Sequence, residues 1–367
     1  MAPDLLIKSS SSEDITLENT EHIKGISIIL MMWHHLFGCN FLKTWLSPFM
    51  EAEILFGKSA KICVAVFLFC SGYGLYKSYI SKNPSVKNYI PLRLIKTLIP
   101  YWMVMIIAII CLIILGKFDP QYILINLIAW DDSVSVMYVS FAWYIKLYLT
   151  ILLIIPLIKI IELKLKKNAV ADFVIYLFIP LLVFYALIFI VYKNNLYFLN
   201  QILLDIGFWS FFSWFPYFAI GFLFAKYKIY KRIRTQIYKF PKILTIIAGL
   251  AITISTLCFR CFLNFANLTD LIYAPLFIIG ILLTIDNLKW KSKYIIPYLG
   301  KKSIYYWLLS SMFFVNTTEL LPAVTWPRIP VLITIWLLLL LTPFVYGCDW
   351  LADKAIRLVS KIIKRYE

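Results

Sequence analysis

Ten apolar stretches recur along the chain. The first covers roughly 23–39, and nine more centre near 70, 105, 150, 181, 216, 251, 278, 311 and 339. About 20 helical residues rise about 30 Å, the thickness of a bilayer's hydrocarbon core. Backbone in lipid must satisfy its own hydrogen bonds, and continuous apolar runs of this length do so as helices. Composition agrees: 62% of the 367 residues are hydrophobic and 15% are charged, against about a quarter charged in soluble domains. The expected fold is an all-α polytopic membrane protein with about ten transmembrane helices. One stretch, 119–140, is ambiguous. Its apolar part, Tyr122 to Trp130, is too short to span and reads as an interfacial or re-entrant piece.

The formal net charge of +17 invites a nucleic-acid reading, which the placement of the bases removes. Of the 36 Lys+Arg, 25 fall in alternate connections, around 82–96, 159–167, 226–242 and 289–302, and in a tail over 354–365. The intervening connections hold only Lys43, Lys58, Lys61, Lys117, Lys193, Arg260 and Arg328. Positive loops stay inside, so ten spans place both termini in the cytoplasm. The expected organisation is a polar cytoplasmic tail over 1–20, a membrane domain over 21–350 and a basic cytoplasmic tail over 351–367. No nucleic-acid partner is expected; membrane lipids are.

Within the spans, polar residues stand out. Lys24-Gly25 opens the first, and His35 follows eleven positions after Lys24. Almost three turns put both on one helix face, about 16 Å apart along the axis. Imidazole in hydrocarbon implies a partner, a cavity or a reaction, and neutral imidazole accepts a proton. His34 is turned about 100° from its neighbour, so at most one of the two is expected to face a shared cavity. Arg93 and Lys96, one turn apart at the cytoplasmic mouth of the third span, suit a phosphate-bearing donor or serve as inside-positive anchors. Ser71-Gly72 brings small residues into the second span, for close packing or for passage of a ligand chain. Lys146 snorkels outward or faces a polar cavity. Of the seven cysteines, Cys258 and Cys261 are closely spaced but have no companion pair, and no metal is expected. Nucleotide-binding glycine loops and serine-hydrolase elbows are absent.

Taken in order, these pieces resemble the acyltransferase-3 family of integral-membrane O-acyltransferases, in its stand-alone, polysaccharide-modifying form. The resemblance rests on Lys24-Gly25 with His35, on Phe67 to Tyr73 with its Ser71-Gly72, and on Arg93-Leu-Ile-Lys96 followed by Pro100-Tyr101-Trp102. It continues in Ala142-Trp143-Tyr144 and in Leu299-Gly300 with Ser303 and Tyr305. Departures are Lys where Arg is usual at 24 and 96, which loses the planar fork, and Ser310 where many members carry a second His.

The resemblance implies transfer of an acyl group, acetyl by preference, from cytoplasmic acyl-CoA to a hydroxyl of a cell-surface carbohydrate or lipid-linked glycan, in a bacterial plasma or inner membrane. His35 and Lys24 are the implied catalytic residues, with Lys24 acting at donor phosphate because 16 Å excludes contact with the imidazole. Ser71, Gly72, Arg93, Lys96 and Trp143 are the implied binding residues for CoA. The competing expectation is a transporter or lipid-linked-glycan flippase; paired halves or matching broken helices, which would mark one, are not evident.

Overall fold

The computed structural model describes residues 14–39, 50–130, 136–164, 168–205, 207–263, 268–288, 294–313 and 318–363. Most of the 1–20 tail, Lys43, Lys289, Lys291, Lys293 and the last bases of the C-terminal tail lie outside them. Among the described residues there are helices and no strands. In chain order they are α1 (Leu17–Trp33), α2 (Met50–Ala60), α3 (Ile62–Leu75), α4 (Val86–Ile114), α5 (Ile123–Leu127), α6 (Trp143–Lys164), α7 (Ala169–Phe173), α8 (Ile179–Lys193) and α9 (Tyr197–Asp205). Then follow α10 (Phe208–Tyr227), α11 (Ile229–Ile237), α12 (Lys242–Phe262), α13 (Asp270–Asn287), α14 (Ile295–Lys301), α15 (Ser303–Ser311), α16 (Leu321–Thr325) and α17 (Pro330–Ile363).

Eight helical stretches among the described residues are long and apolar enough to cross a membrane. They match eight of the ten expected segments, and the chain is an all-α polytopic membrane protein. The other two segments are helical but irregular: α1 continues as a π turn over His34–Gly38, and α14 and α15 break at Lys302. Phe189 and Ile190 on α8 and Ile243, Ile247 and Ile254 on α12 point outward, as lipid-facing side chains must. Tyr122 to Trp130 forms only a 3₁₀ turn and the five-residue α5. Tyr101 Oη and Trp102 Nε1 of α4 latch it by donating to the carbonyls of Asn126 (2.7 Å) and Leu127 (2.8 Å).

Thr16 caps α1, accepting from the amide of Asn19 at 3.1 Å; this satisfies an otherwise orphan donor. Asn19 in turn donates to Asp286 of α13 at 2.9 Å. Asp14 and Ile15, inside the stretch read as a tail, are already buried, with the Tyr73 hydroxyl donating to Asp14 at 3.0 Å. Where α1 crosses α14, a Cβ on Gly25 would strike the carbonyl of Ile296, and one on Gly300 that of Glu21. The glycines of two family-like motifs are therefore one crossing point, and a side chain at either would push the helices apart.

The starts of α1 and α4 and the π turn Tyr76–Ile80 that ends α3 share one end of the bundle, here termed the basic end. The end of α6 joins them: Lys159 Nζ donates to the Pro84 carbonyl at 3.4 Å. Lys226, read as a loop base, is in fact buried there between Glu162 (2.8 Å) and Asp172 (2.5 Å).

Candidate active site

A cavity of about 920 Å³ runs along the inner side of α1, near the upper end of roughly 300–1,000 Å³ for ligand pockets. At the basic end its walls carry Lys24, Lys77, Lys82 and Arg93. At the other end it reaches Trp143 and Ser210, in the first turns of α6 and α10. His34 and His35 line it as well. The cavity thus passes nearly from one end of the bundle to the other.

Five of the seven residues expected at a site share this cavity: Lys24, His35, Ser71, Arg93 and Trp143. Gly72 and Lys96 are not among its lining residues. A Cβ on Gly72 would run into the Phe218 carbonyl of α10, so Gly72 sets a helix–helix contact. Lys96 is exposed, and Thr97, four residues after Arg93, takes the inward position. Ser71 Oγ and Tyr144 Oη hydrogen-bond across the cavity wall at 2.8 Å. Trp143 packs on Trp214, ring centroids 5.4 Å apart. The Arg93 guanidinium lies 5.2 Å from the centre of the Tyr89 ring.

The histidines depart from expectation, and the reason is local. From His34 the helix widens into a π turn, closed by the Cys39 amide donating to the His34 carbonyl at 3.0 Å. The register therefore differs from that of an α-helix, and both imidazoles reach the cavity, their centroids 5.2 Å apart. Such π turns inside helices are frequent at functional sites. The His34 ring is held by α2: its Nδ1 donates to the Gly57 carbonyl at 2.8 Å, which leaves Nε2 as the lone-pair nitrogen. Gly38 and Gly57 permit this approach, since a Cβ on Gly57 would lie 2.5 Å from the Gly38 amide nitrogen. His35 stacks on Phe141 at 4.1 Å and 17°.

Helix α2 ends one residue before Lys61, so its last carbonyls need donors from elsewhere. His34 supplies one to Gly57. Arg260 serves two more, its Nη1 donating to the carbonyls of Lys58 (2.5 Å) and Ser59 (2.8 Å). Asp270 holds the same guanidinium in a two-pronged pair at 2.6 and 2.8 Å. Arg260 and Asp270 are 1% and 2% exposed, so Arg260 is a buried helix cap and not the connection base its position suggested.

Sequence reasoning missed Lys77, Lys82, Tyr144 and Tyr148 of the lining. The spacing Tyr144–Tyr148 beside Trp143 was a readable one-face pattern; Lys82 was masked by its role in orientation, and Lys77 was not singled out. Lys146, on the same helix, is not in the lining; it is buried, its Nζ 5.5 Å from the centre of the Trp130 ring. Ser310 is buried and donates to the Trp307 carbonyl at 2.7 Å.

The family model for an acyltransferase domain, acyltransferase-3, matches residues 18–352, almost the whole helical bundle. The chain belongs to the acyltransferase-3 family. It is a membrane acyltransferase, and the transporter reading falls away. No curated protein and no solved structure matches it significantly. In the acyltransferase the matched region begins at the second residue of α1 and ends inside α17, so both the basic end of the cavity and the imidazoles fall within it.

Proposed function

We propose that this acyltransferase takes an acyl group, acetyl by preference, from cytoplasmic acyl-CoA and transfers it to a hydroxyl of a cell-surface carbohydrate or lipid-linked glycan. The observation that carries this reading is the single cavity joining four cations at one end to two imidazoles within it. Lys24, Lys77, Lys82 and Arg93 suit a polyphosphate, with the Arg93 fork the strongest single grip. The acyl-pantetheine arm would run past Ser71 and Tyr144 toward His35. An acceptor arriving from the Trp143–Ser210 end meets the thioester there. His35 takes the hydroxyl proton as the oxygen attacks the carbonyl carbon; the tetrahedral intermediate then expels CoA as thiolate, which receives that proton. The basic end is cytoplasmic in this reading, with ten spans across 21–350, both termini inside and the chain in a bacterial plasma membrane.

The direct test is purified protein with radiolabelled acetyl-CoA, with and without a glycan acceptor; absence of both hydrolysis and transfer would remove the donor assignment. Arg93→Ala is expected to raise the apparent KM for acyl-CoA more than it lowers turnover at saturation, because it removes ground-state binding. Arg93→Lys should be milder. An unchanged KM would leave Arg93 as a topological anchor. Orientation is read by impermeant thiol labelling of Lys231→Cys and Asn195→Cys in intact cells. Label is expected at position 195 alone, and label at 231 would invert the bundle.

A further inference from the structure

We propose that His34, His35 and Cys39 form a three-donor site for a soft divalent cation of the Zn²⁺ class, and that the metal and the transferred proton compete for it. Each residue offers one donor atom, and the three atoms lie within 4.8 Å of one another. Cys39 Sγ is 3.4 Å from His34 Nε2 and 3.9 Å from His35 Nδ1. Tetrahedral zinc, with Zn–S about 2.3 Å and Zn–N about 2.0–2.1 Å, sets sulfur and nitrogen roughly 3.6 Å apart. The donors therefore need only small side-chain adjustments to close on one ion.

The backbone explains why these three meet. In a regular α-helix positions 35 and 39 share a face, but position 34 stands about 140° around the axis from 39. The i→i+5 bond from Cys39 to His34 stacks the thiol one wide turn beyond the first imidazole. The His34 Nδ1–H···O=C bond to Gly57 is also the outer-shell contact that metal-ligating histidines make, fixing the tautomer so that Nε2 faces the ion. The closely spaced Cys258 and Cys261 take no part in the cluster.

Binding would release the thiol proton, leaving three protein ligands and an open fourth position. A metal there occupies the lone pairs that would otherwise accept the acceptor's proton. The inhibitory consequence rests on the proposed role of the imidazoles; the binding itself does not.

Cobalt(II), a spectroscopic stand-in for zinc, tests both parts on the purified full-length chain in detergent under reducing conditions. A thiolate-to-cobalt charge-transfer band saturating at one equivalent and displaced by Zn²⁺ is the expected result. Cys39→Ser should lose the band, and His34→Ala should weaken cobalt binding by about 10-fold or more, both in protein that remains monodisperse. No band in the parent chain, or a band retained in Cys39→Ser, overturns the site. In the transfer assay, Zn²⁺ should inhibit the parent and spare Cys39→Ser. A cobalt band without zinc inhibition overturns the competition and moves the proton acceptor away from these imidazoles, while the metal site stands.

Discussion

His35→Ala is expected to lower acyl transfer by about 10²–10⁴-fold, the usual worth of a positioned base, with the protein still folded in the membrane. The ring it removes stacks on Phe141 and lines the cavity, so the loss is chemical more than architectural. His34→Ala is expected to cost less, because its Nδ1 proton is committed to the Gly57 carbonyl and the residue chiefly holds α1 against α2. Glycan O-acylation in cells, at protein levels matched by blotting, ranks the two. Should His34→Ala abolish transfer while His35→Ala retains it, the base is His34 Nε2, whose tautomer Gly57 already fixes. Two fully active variants would remove the imidazoles from the mechanism.

The largest effect on stability is expected at Arg260. Removing one partner of a buried ion pair costs about 3–5 kcal/mol, because the other charge stays buried alone. Arg260→Met strands Asp270 and also takes the donor from the Lys58 and Ser59 carbonyls at the end of α2. The double change Arg260→Met with Asp270→Leu removes both charges, and is expected to recover much of the folded yield. It does not restore the cap on α2, so Gly57 and with it His34 lose their support, and turnover should stay low. Thermal unfolding in detergent reads the first effect, and transfer per folded molecule reads the second. If the double variant recovers yield and turnover together, Arg260 acts only through charge balance and has no part in placing His34.

Much of this is legible in the amino-acid sequence. Segment length and hydropathy gave the helical class, because lipid leaves the backbone few alternatives. The ordered motifs placed Lys24, His35, Ser71, Arg93 and Trp143, which the fold brings to one cavity. The misses share a cause: each depends on a departure from ideal helical phase or on a partner far along the chain. Sequence spacing assumes 100° per residue, so it set His34 and His35 on different faces; the π turn changes that register. Gly72 could not be told from a ligand-lining glycine until Phe218, nearly 150 residues away, was seen against it. Arg260 sits where a loop base would sit, and only Asp270 and the end of α2 reveal it as a cap.

The cavity also bears on how the membrane keeps its voltage. A cavity walled by residues from Arg93 toward one end to Ser210 toward the other puts polar side chains deep between the helices. Phe141, Trp143, Trp214 and Trp307 make up the aromatic part of its wall, and a membrane field falls mainly across such apolar stretches. His34 and His35 stand beside that part. A charge crossing the whole field exchanges about 2.3 kcal/mol per 100 mV, and a proton taken up by an imidazole there exchanges a share of it. On the proposed mechanism the rate of acyl transfer is therefore expected to vary with membrane potential, which transfer assays in energised and de-energised vesicles read.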